Sequence, residues 1–234
     1  IEYLPQLLVN DKKEGKKVLS TILQQLNTCE EFWFSVAFIT TNGVATLIET
    51  LNDLEKRGIK GKILVSQYLN FTQPEALKRL LKFKNLELKI AIEGAFHSKG
   101  YLFKRQDIYD LIIGSSNLTS TALCTNIEWN LKISATPISH IIFNAIKEFT
   151  SEFEKGINVD FSFIKNYEIL YKKQLDFSKL LKDEVIISNQ RGIIPNLMQL
   201  EALNNIEYLR SQNKNKALLI SATGTGKTYL SAFD

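Results

Sequence analysis

Cysteine is nearly absent: Cys29 and Cys124 stand far apart, with no C-x-x-C spacing for zinc or a redox pair. That excludes a disulfide framework, and a reduced, cytoplasmic protein is the simplest expectation. Proline and glycine are scarce, at 4 and 11 residues, which excludes collagen-like and low-complexity character. The longest apolar runs, such as Phe32 to Ile39, fall far short of the roughly 20 residues a membrane helix needs, so no membrane association is expected. No signal-peptide pattern or initiator Met opens the sequence, and Ile1 and Asp234 read as cut ends of something longer. Histidine is rare too: only His97 and His140 occur.

What is present is ordinary for a folded chain. Hydrophobic residues make up 44% and charged ones 23%, and 234 residues suffice for one large domain or a medium domain with an appendage. The net charge is only +4, but residues 51–110 hold twelve Lys or Arg against seven Asp or Glu. Such a surplus fits a polyanionic partner, or simply a solvated, lysine-rich helix face.

From Gly15 to about Phe153 apolar runs alternate with helical patterns, the mark of an α/β domain. Val18, Leu19, Ile22, Leu23 and Leu26 recur at helical spacing, and Phe32 to Phe38 reads as a buried strand. A helix capped by Thr41 or Asn42 carries Val44, Leu47, Ile48, Leu51 and Leu54 inward as far as Gly58. Strand Lys62 to Ser66, a helix from Pro74 to about Phe83, and strands at Leu86 to Ile92, Lys99 to Phe103 and Tyr109 to Ile113 follow. Glu128 to Ser134 adds a strand, and Ser139 to Phe153 a helix with Ile141, Ile142, Ala145, Ile146 and Phe149 inward. These strands form a central sheet with helices on both faces. Residues 156–185 read as a connector, with a short helix around Tyr167 to Leu175. A new unit opens at 186, with a helix from Asn196 to Ser211 and a strand at Ala217 to Ser221 leading into a glycine-rich turn.

The chemistry concentrates in Phe96-His97-Ser98-Lys99-Gly100 and in Ile113-Gly114-Ser115-Ser116-Asn117-Leu118-Thr119. Residues two apart on a strand share a face, so His97 and Lys99 should project together. An imidazole can attack phosphorus or protonate a leaving oxygen, and an ammonium beside it can neutralise phosphate oxygens. Backbone amides at Gly114 to Asn117, with the Ser and Asn side chains, can complete an anion cradle. Together these make a phosphate site.

An H-x-K followed by G-S-x-N resembles the signature of the phospholipase D superfamily, and GSSNLT looks most like its nuclease branch. The resemblance covers about residues 15–155 and implies a phospholipase D-like mixed sheet with helices on both faces. It further implies a histidine nucleophile that forms a phosphohistidine, a second histidine as general acid, and no metal. Carried over, His97 is the nucleophile or acid, Lys99 and Asn117 are phosphate ligands, and Ser115 is a further donor. Glu128, eleven residues after Asn117, takes the place of the carboxylate that orients the histidine. The family's aspartate five residues after the lysine is Lys104 here, with Asp107 and Asp110 the nearby acids. His140 has no lysine two residues on, so a second histidine must come from a second copy, which predicts a homodimer with one shared site.

Ser221-Ala222-Thr223-Gly224-Thr225-Gly226-Lys227-Thr228 has the setting of a phosphate-binding loop and resembles that of superfamily-two helicases. Ile194-Pro195 and Gln199 to Leu203 resemble their glutamine motif. The resemblance implies that Gln199 reads adenine, that Gly224, Gly226 and Lys227 hold ATP phosphates, and that Thr228 holds magnesium. The expected organisation is a nuclease domain at 1–155, a connector at 156–185 and a truncated helicase ATPase segment at 186–234, too short to hydrolyse ATP. The expected function is metal-independent DNA cleavage in a restriction or repair protein. A non-catalytic DNA-binding or dimerisation module and a phospholipid phosphodiesterase are the rival readings.

Overall fold

The computed structural model describes residues 4–66, 71–92, 96–188, 195–214, 216, 218, 219 and 230, with side chains at 177–188 and 197 left aside. The chain divides into two compact units, Ile1–Tyr171 and Lys172–Asp234. The first is built on one eight-stranded mixed sheet.

In chain order the strands are β1 (Gln6–Leu8), β2 (Glu31–Val36), β3 (Lys60–Val65), β4 (Leu86–Ile90), β5 (Lys99–Arg105), β6 (Ile108–Gly114), β7 (Asn130–Ala135) and β8 (Ile157–Asn158). Across the sheet they run β1-β7-β6-β5-β2-β3-β4-β8. The β2–β3 and β3–β4 pairs are parallel, whereas β5 lies antiparallel to β2 and forms a hairpin with β6. The start of β5 and the end of β6 therefore reach the sheet edge where β2, β3 and β4 end.

Alternation in β2 turns Phe32, Phe34 and Val36 to one face, where Tyr101 and Phe103 of β5 meet them in register. Phe34 packs edge-on against Tyr101 and Phe103, with ring centroids 5.0 and 5.7 Å apart. Each such ring, fully buried, contributes about 1.5–3 kcal/mol by leaving water. The helices α1 (Val18–Thr28), α2 (Thr41–Ala45), α3 (Ile48–Lys56), α4 (Pro74–Leu80) and α5 (Ser120–Cys124) contribute to this core. Among the described residues the other face carries α6 (His140–Lys155), capped by Ser139 and packed through Ile142 and Phe153.

Several expectations are corrected. The helix expected from Thr41 to Gly58 breaks in two, because the Thr46 hydroxyl donates to the Gly43 carbonyl (2.7 Å) and the Thr46 and Leu47 amides bond three residues back. The cap is Thr40, whose hydroxyl accepts from the Gly43 amide. Ile141, expected inward, is 44% exposed. The short helix expected inside the connector is α7 (Phe161–Ser188), and Val159, Ile164 and Tyr167 belong to the main core. The short elements β1, α5 and β8 were not expected.

In the second unit, α8 (Leu197–Ser211) starts with a capping box. The Asn196 side chain accepts from the Gln199 amide (3.0 Å), and Gln199 Oε1 accepts from the Asn196 amide (2.8 Å). Gln199 is buried here. Of the strand expected at Ala217 to Ser221, Leu218 and Leu219 are described and belong to no strand. Gly224, Gly226, Lys227 and Thr228 lie outside the described residues. No described helix is long and apolar enough to cross a membrane.

Candidate active site

His97 lies two residues before β5 rather than within it, and it is exposed. Lys99, half-buried, begins the strand opposite Val36. Its ammonium lies 2.8 Å from His97 Nδ1 and donates to the His97 carbonyl at 2.8 Å, so the pair meets by direct contact rather than by strand alternation. Ser98 bonds Ser35 of β2 (2.8 Å), which ties this segment to the neighbouring strand.

The other half of the site leaves β6 at Gly114. A Cβ there would lie 2.2 Å from the Trp129 carbonyl oxygen, so glycine is what lets the two loops close on each other. The Ser115 hydroxyl donates to the Glu128 carboxylate and accepts from the Trp129 amide (3.2 Å). Ser116 is clamped by buried groups: its carbonyl accepts from Tyr101 Oη (2.9 Å), its amide donates to Asn130 Oδ1 (3.3 Å), and its hydroxyl accepts from Asn130 Nδ2 (2.9 Å). Asn117, only 7% exposed, accepts from the Ala37 and Phe38 amides at 3.1 and 3.3 Å. A backbone bridge between Ile39 and Leu118 completes the tie to the end of β2. With its oxygen engaged, Asn117 has its amide hydrogens to offer a ligand.

Asn117 and Glu128 line the same polar cavity of about 590 Å³, beside Thr40, Gln73 and Thr119. Glu128 also acts on Lys99: burial lowers the ammonium's pKa from 10.5, and the carboxylate's field opposes that shift. Burial, and then the charge of Lys99, lower His97 from 6.5. Both effects favour the neutral ring, the form with a lone pair to donate, more than in an ordinary histidine. Burial pushes Tyr101 upward, reinforced by Glu128, so its hydroxyl stays a donor to Ser116. Cys29 is no rival nucleophile, since burial pushes its thiol up to about 11.

Lys104, where an aspartate was looked for, points its backbone carbonyl at the Glu30 amide (2.8 Å). Of the nearby acids Asp107 and Asp110, Asp110 is fully buried, across from Phe103. Ser134 donates to it, and Arg105 and Lys132 lie 3.3 and 3.5 Å away. Sequence reasoning missed Tyr101 and Asn130 as supports of the loop. Nothing local set Asn130 apart, because Lys132 and Ser134, which share its face of the strand, are polar too. His140 sits at the start of α6 with Asn144 3.1 Å from its ring. Among the described residues no three His, Cys, Asp or Glu side chains gather to hold a metal.

Known structures share this architecture. NucT from Helicobacter pylori aligns with TM-score 0.53 and 18% identity over 67% of this chain and 99% of its own. Nuc from Salmonella typhimurium, a phospholipase D family member, gives 0.51 and 17% over 67% and 99%. Phosphatidylserine synthase from Haemophilus influenzae gives 0.55 and 15% over 78% and 47%. At these identities the likeness is one of fold. No curated protein matches the chain. The family model described as "Type III restriction enzyme, res subunit" matches residues 192–234. The model described as "Cardiolipin synthase, PLD-like domain" matches residues 22–157, and the chain belongs to that phospholipase D-like family.

Proposed function

We propose that this chain is a metal-independent phosphodiesterase that cleaves DNA, working as a homodimer through a phosphohistidine on His97. The observation that carries the reading is the Lys99 ammonium resting on the His97 ring at 2.8 Å, with Glu128 acting electrostatically on Lys99 and sharing a cavity with Asn117. A phosphate is a stronger acceptor than imidazole, so it draws the ammonium onto its own oxygens and uncovers the ring nitrogen. That nitrogen attacks phosphorus as the bond to the leaving oxygen breaks, and an imidazolium from a second copy gives that oxygen a proton. The second imidazole, now neutral, takes a proton from water, whose oxygen displaces His97 and restores both rings. Lys99 and the Asn117 amide bind the phosphate oxygens throughout. Ser115 holds Glu128, which keeps a negative charge near Lys99.

The organisation we propose is the phosphodiesterase at 1–155, a connector at 156–185 and the beginning of a helicase ATPase at 186–234. In a longer protein that motor would bind ATP and Mg through Gln199, Gly224, Gly226, Lys227 and Thr228. The match of residues 192–234 to a restriction-enzyme subunit supports this. DNA as substrate is supported by the fold shared with two proteins named as Nuc and NucT, and by the basic surplus at 51–110.

The test is incubation of the full chain with supercoiled plasmid in excess EDTA. Nicking is the expected result. Binding without nicking would favour a DNA-gripping module, the reading that Lys104 in place of aspartate supports. Turnover of phosphatidylcholine vesicles instead of plasmid would assign the site to lipid.

The pH profile follows from the same pair. Protonated His97 is no nucleophile, and its pKa is lowered from 6.5, so the acid limb of kcat/KM should have its midpoint below pH 6.5. Lys99→Met removes a charge that disfavours the imidazolium. The residual activity of that variant should show its acid limb moved upward toward 6.5. A limb unmoved by Lys99→Met would separate this lysine from the titrating group.

A further inference from the structure

The segment that follows β2 and the segment that leads into α4 are tied to each other beside the site. The Gln73 amide donates to the Ile39 carbonyl (3.0 Å), and Gln73 Oε1 accepts from the Thr41 amide (2.7 Å). Thr72 is fully buried; its hydroxyl donates to the Ser66 carbonyl (2.8 Å) and its own carbonyl accepts from Tyr167 Oη (2.7 Å). Phe71 is thereby set against Phe38, with ring centroids 5.4 Å apart and planes tilted by 50°, and it is 46% exposed. These bonds fix the rim in place before any ligand arrives, so ordering it costs a ligand little.

Phe38, Asn42 and Gln73 line the polar cavity of about 590 Å³ to which Asn117 and Glu128 also belong. That volume falls in the range of small-ligand sites, roughly 300–1,000 Å³. Its chemistry is not that of a second phosphate site, since among the described residues its wall holds amides, hydroxyls and the Glu128 carboxylate but no Lys or Arg. A phosphate placed there would meet a like charge with no cation in the wall to offset it. A neutral, flat group with donors and acceptors at its edge fits instead. Side-chain amides pair with such edges, and with its oxygen held by Thr41, Gln73 has its amide hydrogens to offer. Exposed aromatic rings at the rim are the surface on which a base stacks.

We infer that this cavity is a nucleobase subsite, which takes one unstacked base next to the scissile phosphate, with Phe38 and Phe71 against its face and Asn42 and Gln73 at its edge. The inference rests on the phosphodiesterase reading above and adds what lies beside the phosphate. Asn117 joins the two, because it lines the cavity and is the residue assigned to the phosphate oxygens. The base must leave its stack to enter, so the bond is cut fastest where pairing is already loosened.

Cleavage of a single-stranded oligonucleotide carrying one stable abasic residue tests it, using the full chain, with the unmodified strand alongside and each bond resolved on a gel. One of the two phosphodiesters flanking the abasic residue should be cut at least about tenfold more slowly than the same bond with its base present, while bonds several residues away are cut equally. Phe71→Ala and Gln73→Glu should slow the unmodified strand toward the rate of the abasic bond and change the abasic bond little. Phe71 is exposed, and glutamate keeps the oxygen that accepts from Thr41, so both variants should fold. Equal cutting of the abasic and intact bonds would overturn the base subsite and leave the phosphodiesterase standing. Variants that slow both bonds alike would place Phe71 and Gln73 at the phosphate, and the subsite would fall. Absence of cutting in either strand would bring down the phosphodiesterase reading and the subsite with it.

Discussion

His97→Ala should leave supercoiled plasmid intact under conditions where the wild-type chain nicks it, a fall of at least about 10³-fold in rate. Loss of the nucleophile removes the covalent route entirely, and about 4 kcal/mol of barrier is a modest figure for that. The ring is exposed, so its removal opens no cavity and the melting temperature should not move. His140→Ala is the companion measurement. That imidazole stands at the start of α6 beside Asn144, and nicking should continue without it. Equal losses in both variants, or nicking that survives in His97→Ala, would end the phosphohistidine mechanism.

The second large effect is on stability. A Cβ on Gly43 would lie 2.0 Å from the Leu118 carbonyl oxygen and 2.7 Å from Thr119 Cα, both backbone atoms that no side-chain rotation can relieve. Gly43→Val should therefore cost at least about 3 kcal/mol, or prevent folding, read as a lowered urea midpoint. Where the variant folds, displacement of Leu118 carries Asn117 off the Ala37 and Phe38 amides, so nicking should fall as well. Gly100→Ala is the contrast, because a Cβ at that position meets nothing within 4 Å and stability should hold. A Gly43→Val chain with an unchanged midpoint would show that α2 and the site loop are not in this close contact.

The pattern in the sequence reached the strands that matter. Phe32, Phe34 and Val36 alternate inward as their spacing implies, and β5 and β6 fall within two residues of where the apolar runs put them. Val44, Leu47, Leu51 and Leu54 are buried as a helical stripe should be, even though the stripe belongs to two helices. The break between them was hidden because it depends on one hydroxyl at Thr46 competing for a carbonyl, a local choice that periodicity does not register. Helix α7 was underestimated for another reason. Ile164 and Tyr167 are buried while Ile169, Leu170 and Leu175 are exposed, so its apolar residues describe no single face. Strands of two or three residues such as β8 and β1 exist through their pairing partners and carry no period of their own.

At the site, the motif brought His97, Lys99, Ser115 and Asn117 to notice, and Glu128 came from its spacing. The way they are held was not legible. Nothing in the strand Lys99 to Phe103 singles out Tyr101, yet its hydroxyl fixes the Ser116 carbonyl. Ser115 was expected to face a ligand, and its hydroxyl instead donates to Glu128. Both facts depend on which loops β6 and β7 bring together, and that follows from strand order rather than from any local run of residues.

The β5–β6 hairpin has a consequence for how the protein can change over time. Its open end carries the histidine-lysine pair on one arm and the serine-asparagine loop on the other, while the turn at Gln106 and Asp107 closes it some seven residues away, about 20 Å of strand. Extra residues accepted at that tip would extend the far end and leave both arms in register where they meet the substrate. Gln106 adopts a positive φ of 54° there, the sign taken by the first central residue of a two-residue hairpin turn. The tip is thus a natural port for grafted or inherited insertions, so length differences there are compatible with an unaltered reaction centre.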